Sequence, residues 1–256
     1  MRKFHQNRQA IYAFHPWQVV ETEFRPEHNH RSEAIFSLGN GYLGMRGTFE
    51  EGLPSHIPST PGIYINGIYE TEPIIYGEFM AKQPQNYQTM INVTDWKGLK
   101  ILVEHEEFSM LQGQLEQYVR VLDLKEGVLR RELVWCSPKG RRVKLTFERF
   151  ISQVEKHLAY QRCTVTPLGW SGQITIRSQV NGAVRNYHHL REPALEVLST
   201  THTNESGLII SKTKKSQIAV ACAVSHAAEP AASIMGSAGS ECLDFVVRFQ
   251  AEPGQT

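Results

Sequence analysis

From residue 99 onward the chain is built of short runs in which hydrophobic and polar residues alternate. Val143, Leu145 and Phe147 are interleaved with Lys144, Thr146 and Glu148. A period of two sends the two sets to opposite faces of a half-buried strand. The spans 99–103, 119–124, 128–135, 158–166, 173–180, 195–200, 208–211, 217–224 and 244–250 read the same way. Turn signals such as Lys125-Glu126-Gly127 and Ser137-Pro138-Lys139-Gly140 punctuate them. Nearer the N-terminus, 17–24, 33–38 and 62–67 read as strands and 76–90 as an exposed loop. Seven Gly and four Pro within residues 39–73 forbid a long helix there. The best helix candidate, 108–118, is weakened by Gly113. The expected fold is all-β: a large antiparallel two-sheet supersandwich, a single domain over residues 1–256.

Composition narrows the function. With 256 residues, 41% hydrophobic and 21% charged, the chain can bury a real core. Lys plus Arg number 27 against 26 Asp plus Glu, a net charge of +1. That gives no general electrostatic case for nucleic acid or an anionic membrane. No apolar run approaches the length of a membrane span. The N-terminus starts basic without an apolar h-region, so a cytoplasmic location is expected. Cys136, Cys163, Cys222 and Cys242 form no paired motif and read as reduced, buried residues.

The sharpest local feature is Gly39-Asn40-Gly41-Tyr42-Leu43-Gly44-Met45-Arg46-Gly47. It contains GxGxxG, but a dinucleotide loop must open a helix whose amides face the pyrophosphate. Gly47 and then Gly52-Leu53-Pro54 leave no room for one. The glycines therefore read as structural, permitting a tight crossing of backbone, with Arg46 fixing nearby carbonyls or carboxylates. Glu50-Glu51 and Glu106-Glu107 are adjacent pairs that would point apart in a strand, and read as solvated turns or edges. His28 and His30 could share a strand face, yet two ligands without a third make no metal site. His188-His189 would point apart. For sugar contact the candidates are Trp96 with Asn92 and Asp95 beside it, and Tyr64 with Asn66 in a glycine-bounded region.

Residues 33–38 run into GNGYLGMRG and then Thr48-Phe49-Glu50-Glu51-Gly52. This resembles the opening of glycoside hydrolase family 65, the maltose, trehalose and kojibiose phosphorylases and their hydrolase relatives. Pro61-Gly62-Ile63-Tyr64-Ile65-Asn66-Gly67, the stretch from Leu122 to Arg131, and Thr166-Pro167-Leu168-Gly169-Trp170-Ser171-Gly172 agree in order and spacing.

The resemblance implies a galactose-mutarotase-like N-terminal domain, followed in the family by a helical linker, an α/α barrel and a small C-terminal β-domain. It places the general-acid Glu and the phosphate site in the barrel. No residue of this chain inherits a catalytic role, and no cofactor or metal is expected. The implied parent reaction is inverting phosphorolysis of an α-linked glucose disaccharide to β-glucose 1-phosphate. The implied partners are that disaccharide, inorganic phosphate, the barrel of the same polypeptide and a second copy in a homodimer; nucleic acid and membrane are not among them. Two other classes stay open: an autonomous carbohydrate-binding module and a mutarotase-like sugar epimerase.

Overall fold

The computed structural model describes residues 12–78, 82–186, 193–230 and 232–256. Eighteen strands follow one another among them. The first six are short, as the glycine and proline spacing dictates: β1 (Gln18–Glu21), β2 (Leu38–Gly39), β3 (Leu43–Met45), β4 (Ile63–Ile65), β5 (Tyr69–Pro73) and β6 (Asn86–Met90). Then come β7 (Asp95–Val103), β8 (Glu106–Glu107), β9 (Gln114–Asp123), β10 (Val128–Cys136), β11 (Arg142–Ile151) and β12 (Ala159–Pro167). The last are β13 (Gly172–Asn181), β14 (Leu195–His202), β15 (Ser206–Thr213), β16 (Ala219–Ser225), β17 (Ile234–Ala238) and β18 (Cys242–Ala251).

Two five-stranded antiparallel sheets dominate, in the orders β1-β9-β10-β11-β12 and β17-β18-β13-β7-β8. They share one core. Leu133, Trp135, Val143, Leu145, Phe147 and Val165 of the first sheet pack with Leu99, Ile101, Val103 and Ile174 of the second. The period of two in the sequence is the cause, since it gives each sheet one apolar face to hide. Three smaller sheets, β14-β15-β16, β2-β3-β4 and β5-β6, flank this body. No helix among the described residues is long and apolar enough to cross a membrane.

The structure departs from the sequence expectations at several elements. The expected strand at 33–38 is mostly helix: α1 (Asn29–Ile35) follows a 3-10 turn at Pro26–His28. Its hidden face is Asn29, Ser32 and Glu33, with Phe36 just beyond, a helical spacing. Three of those four are polar, so no apolar stripe betrayed it. Asn29 Nδ2 donates to Glu33 Oε1 at 2.8 Å, one turn on. His28 and His30 therefore lie at a helix start, not on one strand face. The weak helix candidate at 108–118 is a turn leading into β9, where Gly113, the residue that weakened it, takes φ +73° and reverses the chain. The strand expected at 17–24 is only β1, and the end of the 76–90 loop is β6.

Candidate functional site

The main polar structure lies between the two large sheets. Arg120, Arg131 and Arg149, on β9, β10 and β11, point into the core and are 1%, 2% and 1% exposed. Arg120 and Arg131 are direct cross-strand partners. Cations so placed are costly unless anions, carbonyls or ring faces surround them, and even here Arg120 Nη1, Arg131 Nε and Arg149 Nη1 are left without a hydrogen-bond partner. The segment 47–51 supplies most of the acceptors. Arg131 donates to both oxygens of Glu51, at 2.7 and 2.6 Å, and to Glu50 Oε2 at 2.7 Å. Arg149 Nε lies 2.9 Å from Glu50 Oε1, and its Nη2 donates to the Thr48 carbonyl at 2.6 Å. Arg120 Nη2 donates to the Gly47 carbonyl. Arg131 is packed against the rings of Phe49 and Phe147, at 4.6 and 4.2 Å, and Arg120 against Phe36 and Phe49.

This corrects the reading of Glu50-Glu51 as a solvated pair. The two sit in a turn, where neighbouring side chains need not diverge, and both reach one guanidinium. Burial pushes the Glu50 carboxyl up, but Arg149 and Arg131 pull harder, and it rests below the ordinary carboxylate value. It is an anion at neutral pH, with no proton to give. Glu106 is likewise held low: burial raises it, while Ser137, the Lys139 amide and Arg141 together lower it further. Its neighbour Glu107 pairs with Lys100 at 2.9 Å on the outer edge.

The glycine motif forms the turn and strands of the β2-β3-β4 sheet. Gly41 takes φ +85°, which only glycine adopts freely. A Cβ on Gly47 would lie 2.5 Å from the Phe36 carbonyl oxygen. Gly39 and Gly44 face each other across the β2–β3 ladder. Asn40 Oδ1 accepts from the amides of Tyr42 and Leu43, at 3.0 and 2.8 Å, closing the turn. Its Nδ2 donates to the carbonyls of Ser152 and Lys156, at 2.7 and 3.0 Å. The Tyr42 ring meets His157 edge-on at 4.4 Å. The motif thus grips the β11–β12 hairpin end, and no helix follows it. Arg46 Nη2 reaches the His30 carbonyl at 3.4 Å and lies 3.8 Å from Glu33 Oε2.

The five sugar candidates occupy two neighbouring places. Tyr64 and Asn66 belong to β4 and the turn after it, with Tyr64 opposite Gly44. Tyr64 is half-buried, and burial raises its hydroxyl pKa. Asn66 is exposed and donates to the Gly41 carbonyl at 3.1 Å. Asn92 bridges the two places from inside. Its Oδ1 accepts from the Ile63 amide at 2.7 Å, and its Nδ2 donates to the Pro61 and Arg185 carbonyls. Trp96 lies in β7, half-buried against two parts of the core. Asp95 holds Lys97 Nζ at 2.6 Å on the wall of a groove of about 820 Å³, between the 48–61 segment and β7–β13.

Lys97, Arg177 and Gln179 also line that groove. They carried no signal in the sequence, because strand alternation does not reveal which outer positions face another segment. Among the described residues no three His, Cys, Asp or Glu side chains gather to hold a metal ion. His188-His189 lies outside the described residues.

Residues 19–256 match the family model described as glycosyl hydrolase family 65, N-terminal domain. The chain belongs to glycosyl hydrolase family 65. It is 36% identical over 260 residues to an α,α-trehalose phosphorylase of Thermoanaerobacter brockii, covering 96% of this chain and 34% of that protein. It is 36% identical over 200 residues to a kojibiose phosphorylase of Halothermothrix orenii, covering 75% of this chain and 24% of the other. A solved structure of a human-microbiome protein assigned as a kojibiose phosphorylase superposes with a TM-score of 0.84 at 21% identity, covering 96% of this chain and 31% of that one. That likeness establishes the fold. The chain thus spans a quarter to a third of the length of these family 65 relatives.

Proposed function

We propose that this chain is the non-catalytic N-terminal domain of a cytoplasmic family 65 disaccharide phosphorylase. The parent enzyme transfers glucose from an α-linked disaccharide to phosphate with inversion, giving β-glucose 1-phosphate. The observation that carries the reading is the family match over residues 19–256, to an N-terminal domain and not to a catalytic one. The electrostatics support it. A general acid needs a carboxyl whose pKa is raised toward working pH, whereas Glu50 and Glu106 are both shifted the other way. In this reading a barrel of the same polypeptide holds the acid and the phosphate, and the domain braces it and shapes the mouth of its pocket. Asp95, on the groove wall, is best placed of the five candidates to meet the barrel or a sugar, whereas Trp96, Tyr64, Asn66 and the buried Asn92 do not line that groove.

The test incubates the purified chain, and separately a full-length protein that contains it, with trehalose, kojibiose or maltose and phosphate. The full-length protein is expected to release β-glucose 1-phosphate from one of the three, and the chain from none. Product formed in proportion to the isolated chain overturns the non-catalytic role. A full-length protein that only hydrolyses its disaccharide overturns the phosphorylase assignment.

A further inference from the structure

The chain holds three Asn-Gly pairs, Asn40-Gly41, Asn66-Gly67 and Asn181-Gly182. Asparagine is chemically labile, and most of all before glycine. The amide nitrogen of the next residue can attack the side-chain carbonyl carbon, and a glycine has no Cβ to obstruct the approach. Two local conditions decide whether it does. The asparagine side chain must be free to swing toward the backbone, and the glycine N–H must be open to lose its proton. The fold meets these conditions unequally at the three sites.

Asn40 is held at both ends of its amide. Its Oδ1 accepts from the Tyr42 and Leu43 amides, and its Nδ2 donates to the Ser152 and Lys156 carbonyls. All of these bonds must break before Cγ can approach Gly41. At Asn181 the nucleophile itself is engaged. The Gly182 N–H donates to the Glu241 carbonyl at 2.8 Å, and Asn181 Oδ1 accepts from the Ala183 amide at 2.9 Å. Asn66 has neither protection. Asn66 and Gly67 are both exposed. The side chain is held by a single bond, from Nδ2 to the Gly41 carbonyl at 3.1 Å. The turn is closed by the Ile68 amide on the Ile65 carbonyl, and no acceptor among the described residues takes the Gly67 N–H.

We propose that Asn66 is a site of spontaneous covalent modification, the one Asn-Gly pair that the folded chain leaves open to conversion into aspartate and isoaspartate. Hydroxide removes the Gly67 amide proton. The nitrogen bonds to Asn66 Cγ, the Cγ–Nδ2 bond breaks, and Nδ2 takes a proton from water and leaves as ammonia. Water then opens the five-membered imide. Addition at Cγ breaks the new C–N bond and gives aspartate. Addition at the main-chain carbonyl breaks the original peptide bond, so that the chain runs on through the side chain as isoaspartate. Water is consumed and ammonia released, with no other reactant. Either product puts a carboxylate where the Nδ2 donor was, loses the bond to Gly41 and takes one from the net charge of +1. Isoaspartate also lengthens the main chain just before the buried Ile68, and should loosen β4 from β3. This site is independent of the phosphorylase reading, since it is read as peptide mass and not as sugar product.

The test holds the purified chain in mildly alkaline buffer for increasing times, digests it, and follows the three Asn-Gly peptides by mass spectrometry. Conversion at position 66 is expected to run at least about tenfold faster than at 40 or 181, where more hydrogen bonds must break first. The rate at 66 should rise with pH, because base has to take the Gly67 proton. In the urea-unfolded chain the three rates should converge. Asn66→Gln, whose cyclic intermediate would need a sixth ring atom, should remove the fast conversion. A folded chain that converts position 40 or 181 as fast as 66 overturns the proposal, as does a rate at 66 indifferent to pH. So does a position 66 left intact in the folded chain while the unfolded chain is converted. Rates that stay equally far apart in urea overturn it too, since the selection would then not come from the fold.

Discussion

The middle of the large sandwich and the end of its first sheet use the same ingredients, charged groups beside apolar ones, in opposite ways. In the middle, three guanidinium groups are shut in with Glu50 and Glu51, each against a ring, a carboxylate or a carbonyl. At the sheet end, Lys125, Glu126, Glu155 and Lys156 stay in water around bare Leu124 and Val154. The difference shows what burial does to a charge. Inside, the loss of one partner strands the others without solvent. Outside, water takes the place of any partner removed, so charge there contributes little to holding the fold.

The largest expected effect tests the interior side of this contrast. Arg131→Met leaves Glu50 and Glu51 short of a cation in a dry place, and should cost about 3–5 kcal/mol in urea unfolding. A loss under about 1 kcal/mol would mean that water reaches the layer.

Gly47→Ala comes next. Its Cβ would collide with the Phe36 carbonyl, in the segment that carries Thr48, Glu50 and Glu51 to the arginines. The expected cost is about 1–3 kcal/mol, read as a lower urea midpoint at unchanged slope.

Acid should destabilise the interior through Glu50. The Glu50 carboxyl is lower in the folded chain than its ordinary 4.5. Its contribution is present above that value and lost as pH falls through the folded one. The urea midpoint should therefore fall with pH below about 4.5, and fall less steeply in Glu50→Gln than in the parent chain. Equal slopes would show that Glu50 is not the group that titrates.

Asn40→Ala stands between the two regions, since it frees the carbonyls of the β11–β12 tip while leaving the arginines alone. About 1 kcal/mol of stability should go, together with faster amide exchange at 152–158. The smallest effect belongs to the open surface. Arg130→Ala breaks an exposed pair with Glu148 and should change stability by less than about 1 kcal/mol.

Much of the sandwich was legible in the chain. Strands β7, β9 to β16 and β18 come mostly from segments where alternation is plain, because a sheet with one buried face needs that period, whereas β17 (Ile234–Ala238), in an Ala-, Ser- and Gly-rich stretch, was not legible as a strand. That no helix follows the glycine motif was legible too, from Gly47 and then Gly52-Leu53-Pro54. Helix α1 was not, because its buried face is Asn29, Ser32 and Glu33, and polar residues leave no hydrophobic period to read. The burial of Glu50 and Glu51 was hidden for a related reason. A pair of acids looks solvated until the cations that claim it are known, and these lie some eighty to a hundred residues away in β10 and β11.

By itself the sequence determined the all-β class, the positions of most long strands, the family and the need for glycine at a tight crossing. Those properties depend on local periodicity, on steric limits at single residues and on short motifs, all written in neighbouring letters. Only the tertiary structure decided that Arg120, Arg131 and Arg149 form one buried layer under the 47–51 segment. It alone joined Asn40 to the β11–β12 tip, and brought Trp17, Leu124, Val154 and Leu158 to a single sheet end. Each of these relations depends on strand order and on which face a segment crosses, and side chains far apart in the chain acquire a common environment only when the sheets pair and close.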